Sequence, residues 1–248
     1  MPARVYCLGP DRRPLRICLS IQTCCVVFIV RMELTIAKEI TTMIHGYHVI
    51  WPAYGFWLPN DPRGSWSETV YAWELLRYGQ ATKRIERIVI DSQQYARWRS
   101  EAQRALKHPP VSFSDQQILQ IGLGFQSYIQ KSELTVWACS ILREHFHLVL
   151  GRHKYKAEVA VNLLKGAASK QILSTQSHPM QSYCRGLSRL PSMWGEGQWI
   201  VYLDTEEAIL NAIRYVKENP IQEGLSQQNW GFVTRFEGIS SSGWITYY

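Results

Sequence analysis

The pattern of apolar and polar positions predicts strands and helices from Met43 onward. Residues 44–51 (IHGYHVIW) alternate and are rich in β-branched and aromatic side chains, which is typical of a strand. Residues 134–142 (LTVWACSIL) and 145–150 (HFHLVL) predict two more strands, joined by a tight turn at residues 143–144. We therefore expect a β-hairpin in the middle of the chain.

Helical spacing predicts three helices between and after these strands. Residues 81–106 have mixed helical spacing, and the Pro pair at 109–110 ends them. Ser114 is the predicted cap of a second helix that runs to about Lys131, and residues 156–173 predict a third. We interpret residues 174–200 as largely loop, with a glycine-spaced aromatic turn from Trp194 to Trp199.

A last helix is predicted to begin at Asp204 or Thr205 and to stop at Pro220. Asp204 and Glu207 have capping-box spacing, which supports this start. Its predicted buried stripe is formed by Ile209, Ala212, Ile213 and Val216. All elements together predict an α+β fold, a ferredoxin-like βαββαβ sandwich with an antiparallel central sheet and a C-terminal helix that carries Tyr215.

The segment before Met43 differs from the rest of the chain. Residues 17–30 are apolar and follow three arginines, as in a secretory signal, but polar residues interrupt them and no cleavage site follows. Export or anchoring is therefore the weaker alternative, and we expect no membrane association. We predict residues 1–42 as an extension outside the core, either disordered or the product of an upstream start, residues 43–235 as one domain and residues 236–248 as a tail.

Composition excludes several classes of protein. With 46% hydrophobic and 12% aromatic residues among 248, the chain can bury a core, so it is not a disordered polymer. Four of the six cysteines lie in the first 25 residues, which leaves Cys139 and Cys184 in the body. No CxxC pair is present, so we expect neither a disulfide framework nor a structural zinc site, and a reducing cytosol is the default.

The formal charge of +7 is unevenly distributed. Between Arg143 and Arg189 there are eight basic residues and two acidic ones. Such a cluster could bind phosphates in a salt-sensitive way, and nearby tryptophans could stack on unpaired bases, although most lysines simply solvate a helix face. The predicted DNA contacts are Arg63, Lys154, Lys156, Lys165 and Lys170.

Two short motifs could carry chemistry. His145 and His147 are two residues apart in a predicted strand, so both imidazoles project to the open face while Phe146 points to the core. On the last helix Tyr215 and Asn219 are one turn apart. Each motif taken alone also has a purely structural explanation. The histidines could simply belong to a half-exposed strand, Tyr215 could lie at the rim of a buried helix face, and Asn219 before Pro220 could mark the end of the helix.

Taken together, the motifs suit attack on a phosphodiester. A tyrosine hydroxyl has a pKa near 10, so as a nucleophile it benefits from a metal ion that neutralises the phosphate. Two imidazoles with an amide oxygen one turn beyond the tyrosine could hold such an ion. Two histidines alone are too few for a metal site made entirely by the protein.

At these residues the chain resembles a known family. His145-Phe146-His147 is similar to the HUH motif, and Tyr215 with Asn219-Pro220 is similar to the Tyr-x-x-x-Asn-Pro signature of the REP-associated tyrosine transposases. Residues 54–64 resemble the loop after the first strand in one branch, and the likeness covers about 43–225. The chain departs from the common pattern at residues 143–144, where relatives often have Pro-Asn or Pro-Asp.

The resemblance implies a cytoplasmic, nucleoid-associated bacterial enzyme that cleaves and rejoins single-stranded or hairpin DNA with Mg2+ or Mn2+. Tyr215 would form a 5′-phosphotyrosine link, and His145, His147 and Asn219 would bind the metal. The relatives include monomers and dimers with shared sites, so a homodimer stays open. Two alternatives also stay open: a catalytically silent ferredoxin-like nucleic-acid-binding protein and an HUH replication or conjugation initiator nuclease.

Overall fold

Four antiparallel strands form the sheet that carries the histidine pair. The structure, a computed structural model, describes residues 43–62, 64–65, 68–83, 91–197 and 199–239. The strands are β1 (Gly46–Pro52), β2 (Val136–Ile141), β3 (His145–Gly151) and β4 (Trp199–Leu203). They are hydrogen-bonded in the order β2-β3-β1-β4, and all three neighbouring pairs are antiparallel. The predicted α+β class and antiparallel sheet are therefore confirmed.

Four α-helices accompany the sheet in the described part of the chain. They are α1 (Ser92–Ala105), α2 (Asp115–Ser132), α3 (Ala157–Thr175) and α4 (Glu206–Gln222). A short 3-10 helix at Trp73–Tyr78 was not predicted. The prediction that Ser114 caps α2 is confirmed, and the structure adds a capping box: the Ser114 hydroxyl accepts from the Gln117 amide and the Gln117 side chain accepts from the Ser114 amide.

The first core lies on the face of the sheet that carries α2 and α3. Phe146, Leu148 and Leu150 of β3 all point into it, as the alternation predicts. The two helices approach closely, since a Cβ on Gly124 would lie 2.7 Å from the Cα of Ala168. Glycine is needed at this crossing because any side chain would separate the helices.

The opposite face of the sheet is covered by α4. The predicted stripe of α4 is buried there against Ala138, Val149 and Leu203 in a second core. His145 and His147 share this face with Val149, because residues two apart on a strand point the same way. The expectation of an open face is therefore wrong, since α4 brings Tyr215 and Asn219 over it.

Helix α4 starts from one of the two predicted residues, but its capping and its end differ from the prediction. Its cap is Thr205, whose hydroxyl accepts from the Ala208 amide at 3.1 Å, and the Asp204–Glu207 box does not form. The helix also passes Pro220 and ends at Gln222. A proline this close to the end removes one hydrogen bond, and the Leu225 amide closes the last turn on the Pro220 carbonyl at 2.7 Å.

Two further boundaries needed correction. Strand β4 begins at Trp199, inside the segment interpreted as largely loop. Helix α1 begins at Ser92, where the Asp91 side chain caps it by accepting from the Gln93 amide, and residues 81–83 are not helical. Residues 84–90 lie outside the described residues, as do 1–42 and 240–248.

The segment after α4 runs back along the outer edge of β2. The Gln228 side chain accepts from the Ile141 amide at 2.8 Å and donates to the Ile141 carbonyl at 2.7 Å. The Thr234 amide donates to the Val136 carbonyl at 2.8 Å. Phe236 packs edge-on against Trp137 with ring centroids 4.8 Å apart, so the first residues of the predicted tail contact the second core.

Cys139 and Cys184 are both buried and free. Among the described helices, none combines the length and apolar character that crossing a bilayer requires.

Candidate active site

Strand β3 delivers the histidine pair to the side of the sheet that α4 covers. His147 is 2% exposed, and its ring centroid lies 4.9 Å from that of His145. The ring of Phe56, from the loop after β1, stacks on His145 at 4.7 Å with an interplanar angle of 11°. Packing therefore restricts both imidazoles before any ligand binds.

Helix α4 places its tyrosine beside the pair. The Tyr215 ring lies edge-on to His147 with centroids 5.5 Å apart, and Tyr215 is 43% exposed. Asn219, one turn further along, is buried at 5% exposure. The structure thus brings the four residues of the two motifs to one face of the sheet, with the tyrosine open to solvent and the asparagine facing inward.

Several buried polar atoms at this face have no hydrogen-bond partner. Seven such side-chain atoms occur in the described part of the chain. Four of them belong to residues of β2, β3 and α4 at this face: Ser140 Oγ, His145 Nδ1, His147 Nε2 and Asn219 Oδ1. Buried polar atoms are usually paired, so this concentration distinguishes the α4 face from the apolar first core.

Burial keeps the imidazoles neutral near pH 7. Desolvation lowers the pKa of His145 to about 4. It lowers the pKa of His147 well below its usual value, and the neighbouring His145 and His48 add to the effect. Neutral imidazole is the form that binds metal ions, so both histidines are ready to act as ligands.

His48 of β1 is a site residue that the sequence analysis missed. Its Nε2 lies 3.2 Å from Nδ1 of His147, and the two rings stack with centroids 5.4 Å apart. The His48 ring also contacts the Tyr215 ring edge-on at 5.8 Å. Burial lowers the pKa of His48 to about 4. The alternation of β1 places His48 on one face, but its nearness to His147 depends on the strand register.

The loop after β1 and the turn before β3 close one side of the site. Arg99 donates to the Phe56 carbonyl at 2.9 Å and pairs with the Glu144 carboxylate at 3.4 Å. A cavity of about 280 Å³ opens here, lined by Phe56, Glu144, His145 and, at the end of α4, Glu223. The departure from the family pattern at Glu144 thus serves to anchor Arg99.

The donor atoms fit a divalent cation. In the described ranges, no three His, Cys, Asp or Glu side chains form a metal cluster, and the buried Asn219 amide oxygen is a further donor on this face. Two imidazole nitrogens and one amide oxygen suit an ion such as Mn2+, with water and phosphate oxygens completing its shell. The three unpartnered atoms, His145 Nδ1, His147 Nε2 and Asn219 Oδ1, are of the required types.

The predicted DNA contacts do not gather around Tyr215. Lys156 caps α3, and Lys165 and Lys170 lie on it, within the layer opposite α4. Strand β3 ends at Gly151, six residues and therefore about 20 Å from His145, and Lys154 and Lys156 come after that end. Arg63 lies outside the described residues.

Lys165 lies in a second cavity near the end of β1. This cavity, of about 1050 Å³, is lined by aromatic side chains and by both signs of charge, including Lys165 and Glu196. The Lys165 ammonium is 3.5 Å from the centroid of the Trp51 ring. Burial lowers the pKa of Lys165 to about 8. Among the predicted DNA contacts, Lys165 lies in this cavity over Trp51, and Lys154 lies over the ring of Tyr155 at 5.5 Å.

Comparisons with known proteins identify transposases among solved structures. No family model matches the chain, and no curated protein matches it. One solved structure is a REP-associated tyrosine transposase bound to a REP hairpin, with 11% identity, 77% of each chain covered and a TM-score of 0.39. Another is a protein of Deinococcus radiodurans R1 assigned as a transposase, with 12% identity, 74% of this chain and 93% of that chain covered, and a TM-score of 0.31.

Both structural neighbours carry the transposase name. One belongs to the family that the motifs around His145 and Tyr215 resemble.

Proposed function

We propose that this protein is a metal-dependent transposase that cleaves and rejoins single-stranded or hairpin DNA through Tyr215. One observation carries the proposal. Three buried atoms of the types that bind a divalent cation, on His145, His147 and Asn219, have no partner, and the half-exposed Tyr215 packs against His147. A protein that merely binds DNA has no use for this combination, since each unpaired buried atom destabilises the fold by about 1–3 kcal/mol.

The chemistry is an exchange of phosphoester bonds. The Tyr215 oxygen attacks the scissile phosphorus and loses its proton to water. The new bond from tyrosine to phosphorus forms as the bond from phosphorus to the 3′-oxygen breaks, and that oxygen takes a proton from water to become a free 3′-hydroxyl. Attack of a 3′-hydroxyl on the 5′-phosphotyrosine reverses these steps and rejoins a strand without an external energy source.

The metal would be held by His145, His147 and Asn219. When bound, Mg2+ or Mn2+ would neutralise the phosphate and polarise its oxygen. The protein's own residues do the rest: α4 orients the phenol, and the rings of His48 and His147 restrict its position. The exposure of Tyr215 supports the access that a DNA strand needs.

The scaffold assignment forms part of the proposal. The strand order β2-β3-β1-β4, with α3 joining β3 to β4, supports a ferredoxin-like βαββαβ arrangement followed by α4. Phosphate contacts from Lys154, Lys156, Lys165, Lys170 and Arg63 would supply affinity that depends on salt and little on sequence. Since Lys156, Lys165 and Lys170 belong to α3, in the layer opposite α4, we propose that the bound strand extends well beyond the tyrosine.

The test is capture of the covalent intermediate. The full chain is incubated with Mn2+ and a hairpin oligonucleotide that has single-stranded flanks and a 3′ label, which stays on the fragment joined to the tyrosine, and the products are run on a denaturing gel. We expect a labelled protein band from the wild type and at least a hundredfold less from Tyr215→Phe. The matched control is Tyr183→Phe, because Tyr183 has nearly the same exposure, 42% against 43%, and lies elsewhere.

The metal is tested with the same assay. His147→Ala and addition of EDTA should each abolish the adduct while most hairpin binding persists in a gel-shift assay. An equal yield of adduct from the wild type and Tyr215→Phe would contradict the assignment of Tyr215 as the nucleophile. Tight hairpin binding with no adduct from the wild type in Mg2+ or Mn2+ would instead favour the silent binding protein.

A further inference from the structure

The imidazole of His48 packs directly against His147, one of the two histidines proposed to bind the metal. His48 is 9% exposed, and its Nε2 faces Nδ1 of His147 at 3.2 Å. Strand pairing enforces this approach, because His48 lies opposite Val149 in the β1–β3 register and Val149 is two residues from His147 on the same face. Neither ring can turn freely, since they stack at an interplanar angle of 27°.

The hydrogen bond restricts which nitrogen of His147 carries the proton. A neutral imidazole has one N–H and one lone pair, so one of the two facing nitrogens donates and the other accepts. Nε2 of His147 is buried and has no partner. A proton there would leave a buried donor unpaired, whereas a proton on Nδ1 is donated to His48 and leaves the lone pair of Nε2 available.

We propose that His48 is a positioning residue that accepts the Nδ1 proton of His147 and so presents the Nε2 lone pair to a divalent cation. The proposal rests on the function proposed above, but it concerns the tautomer and orientation of His147 before metal or DNA binds. A hydrogen bond to the remote nitrogen of a ligating histidine fixes its tautomer and orientation, and loss of such a bond lowers metal affinity 10- to 100-fold.

His48 also contacts the nucleophile. Its ring meets the Tyr215 ring edge-on at 5.8 Å, and the His147 ring meets the same tyrosine at 5.5 Å. Tyr215 therefore packs against both members of the hydrogen-bonded pair. His48 therefore also fixes the position of His147 relative to Tyr215.

The first experiment reads the tautomer directly in the metal-free protein. Long-range 1H–15N correlation spectra distinguish a protonated ring nitrogen from one with a lone pair, and His147→Gln identifies the His147 signals. We expect the wild type to carry the proton on Nδ1. In His48→Phe, which keeps an aromatic ring against His147 and Tyr215, we expect a mixture of tautomers. A proton on Nε2 in the wild type, or an unchanged spectrum in His48→Phe, overturns the proposal.

The second experiment measures Mn2+ affinity by calorimetry. We expect a 10- to 100-fold weaker Kd for His48→Phe. His48→Gln, whose amide oxygen can accept the same proton, should recover most of the affinity. His45→Phe, on the same part of the chain but before β1, is the control and should bind as the wild type does. Equal affinity of wild type and His48→Phe, or no recovery in His48→Gln, overturns the positioning role.

The two experiments separate this proposal from the proposed function. If wild-type Mn2+ binding is absent or is unchanged in His147→Ala, the metal-dependent function is wrong. The tautomer spectra still decide the role of His48, because they need neither metal nor DNA. If Mn2+ binds at His147 but His48→Phe behaves as the wild type, the function stands and the role of His48 is wrong.

Discussion

The two faces of β3 differ in what they bury. Phe146, Leu148 and Leu150 enter the first core, which is built from apolar side chains of the sheet, α2 and α3. The alternate residues, His145 and His147, enter the face under α4 and leave ring nitrogens unpaired. One strand therefore contributes apolar packing on one side and unpaired polar atoms on the other.

The two faces of the sheet therefore contribute differently to the stability of the fold. The first core provides the larger share of apolar burial and holds the strand rigidly. The α4 face has a smaller core around Val149 and can retain polar atoms that weaken the fold. We expect substitutions on the two faces of the same strand to affect different measurements.

The largest effect on stability is expected at Phe146. It is fully buried and packs edge-on against Phe125 at 5.2 Å and Trp194 at 5.5 Å. Phe146→Ala should lower the free energy of unfolding by about 3–5 kcal/mol, measured by urea denaturation. Phe146→Leu should lower it less, and its folded form should keep wild-type Mn2+ affinity. A loss below about 1 kcal/mol in Phe146→Ala would contradict the assignment of the first core.

A reciprocal exchange on β2 compares the two faces with nearly equal volumes. Cys139 points to the first core, and its neighbour Ser140 points to the α4 face with an unpartnered hydroxyl. Cys139→Ser should destabilise the protein by about 1–3 kcal/mol, because it buries a hydroxyl in an apolar core. Ser140→Cys should be neutral or stabilise by about 1 kcal/mol, because it removes an unpaired one. Thermal denaturation measures the change in stability of each variant relative to the wild type. Changes of the same sign and size in the two variants would contradict the contrast between the faces.

The smallest effect concerns Lys165, the charged side chain of α3 that lies over Trp51. Its folded-state pKa is lowered to about 8 from 10.5, so the unfolded state binds more protons between these values. Stability should therefore rise as pH increases from about 8 to 10.5 and be insensitive to this group below pH 8. Urea midpoints at pH 7 and pH 10 should show this rise in the wild type and in the control Lys170→Met. Lys165→Met should show a smaller rise, and an equal rise would mean that burial does not perturb Lys165.

Local signals in the sequence predict much of the fold. The Ser114–Gln117 box and the apolar stripe of α4 depend on neighbours three or four residues away, so a sequence pattern can identify them. The continuation of α4 past Pro220 could not be predicted, because it depends on hydrogen bonds from the segment that follows. Strand β4 is short and begins within an aromatic, glycine-rich turn, and its identity depends on pairing with β1.

The candidate site divides in the same way. His145, His147, Tyr215 and Asn219 fall within two short motifs, and their types and spacing predict one site. His48 and Ser140 have no such signal, because they join the site through the pairing of β1 and β2 with β3. The lysines of α3 were grouped by charge along the sequence, but the helix belongs to the opposite layer of the fold.

The segment that follows α4 along β2 also bears on assembly. Through Gln228 and Thr234 it occupies main-chain groups of Ile141 and Val136 that an added strand would need. Two copies of the protein that joined their sheets through β2 would first have to displace this segment. Of the two edges of the sheet, β4 is therefore the one whose main-chain groups the described part of this segment does not occupy.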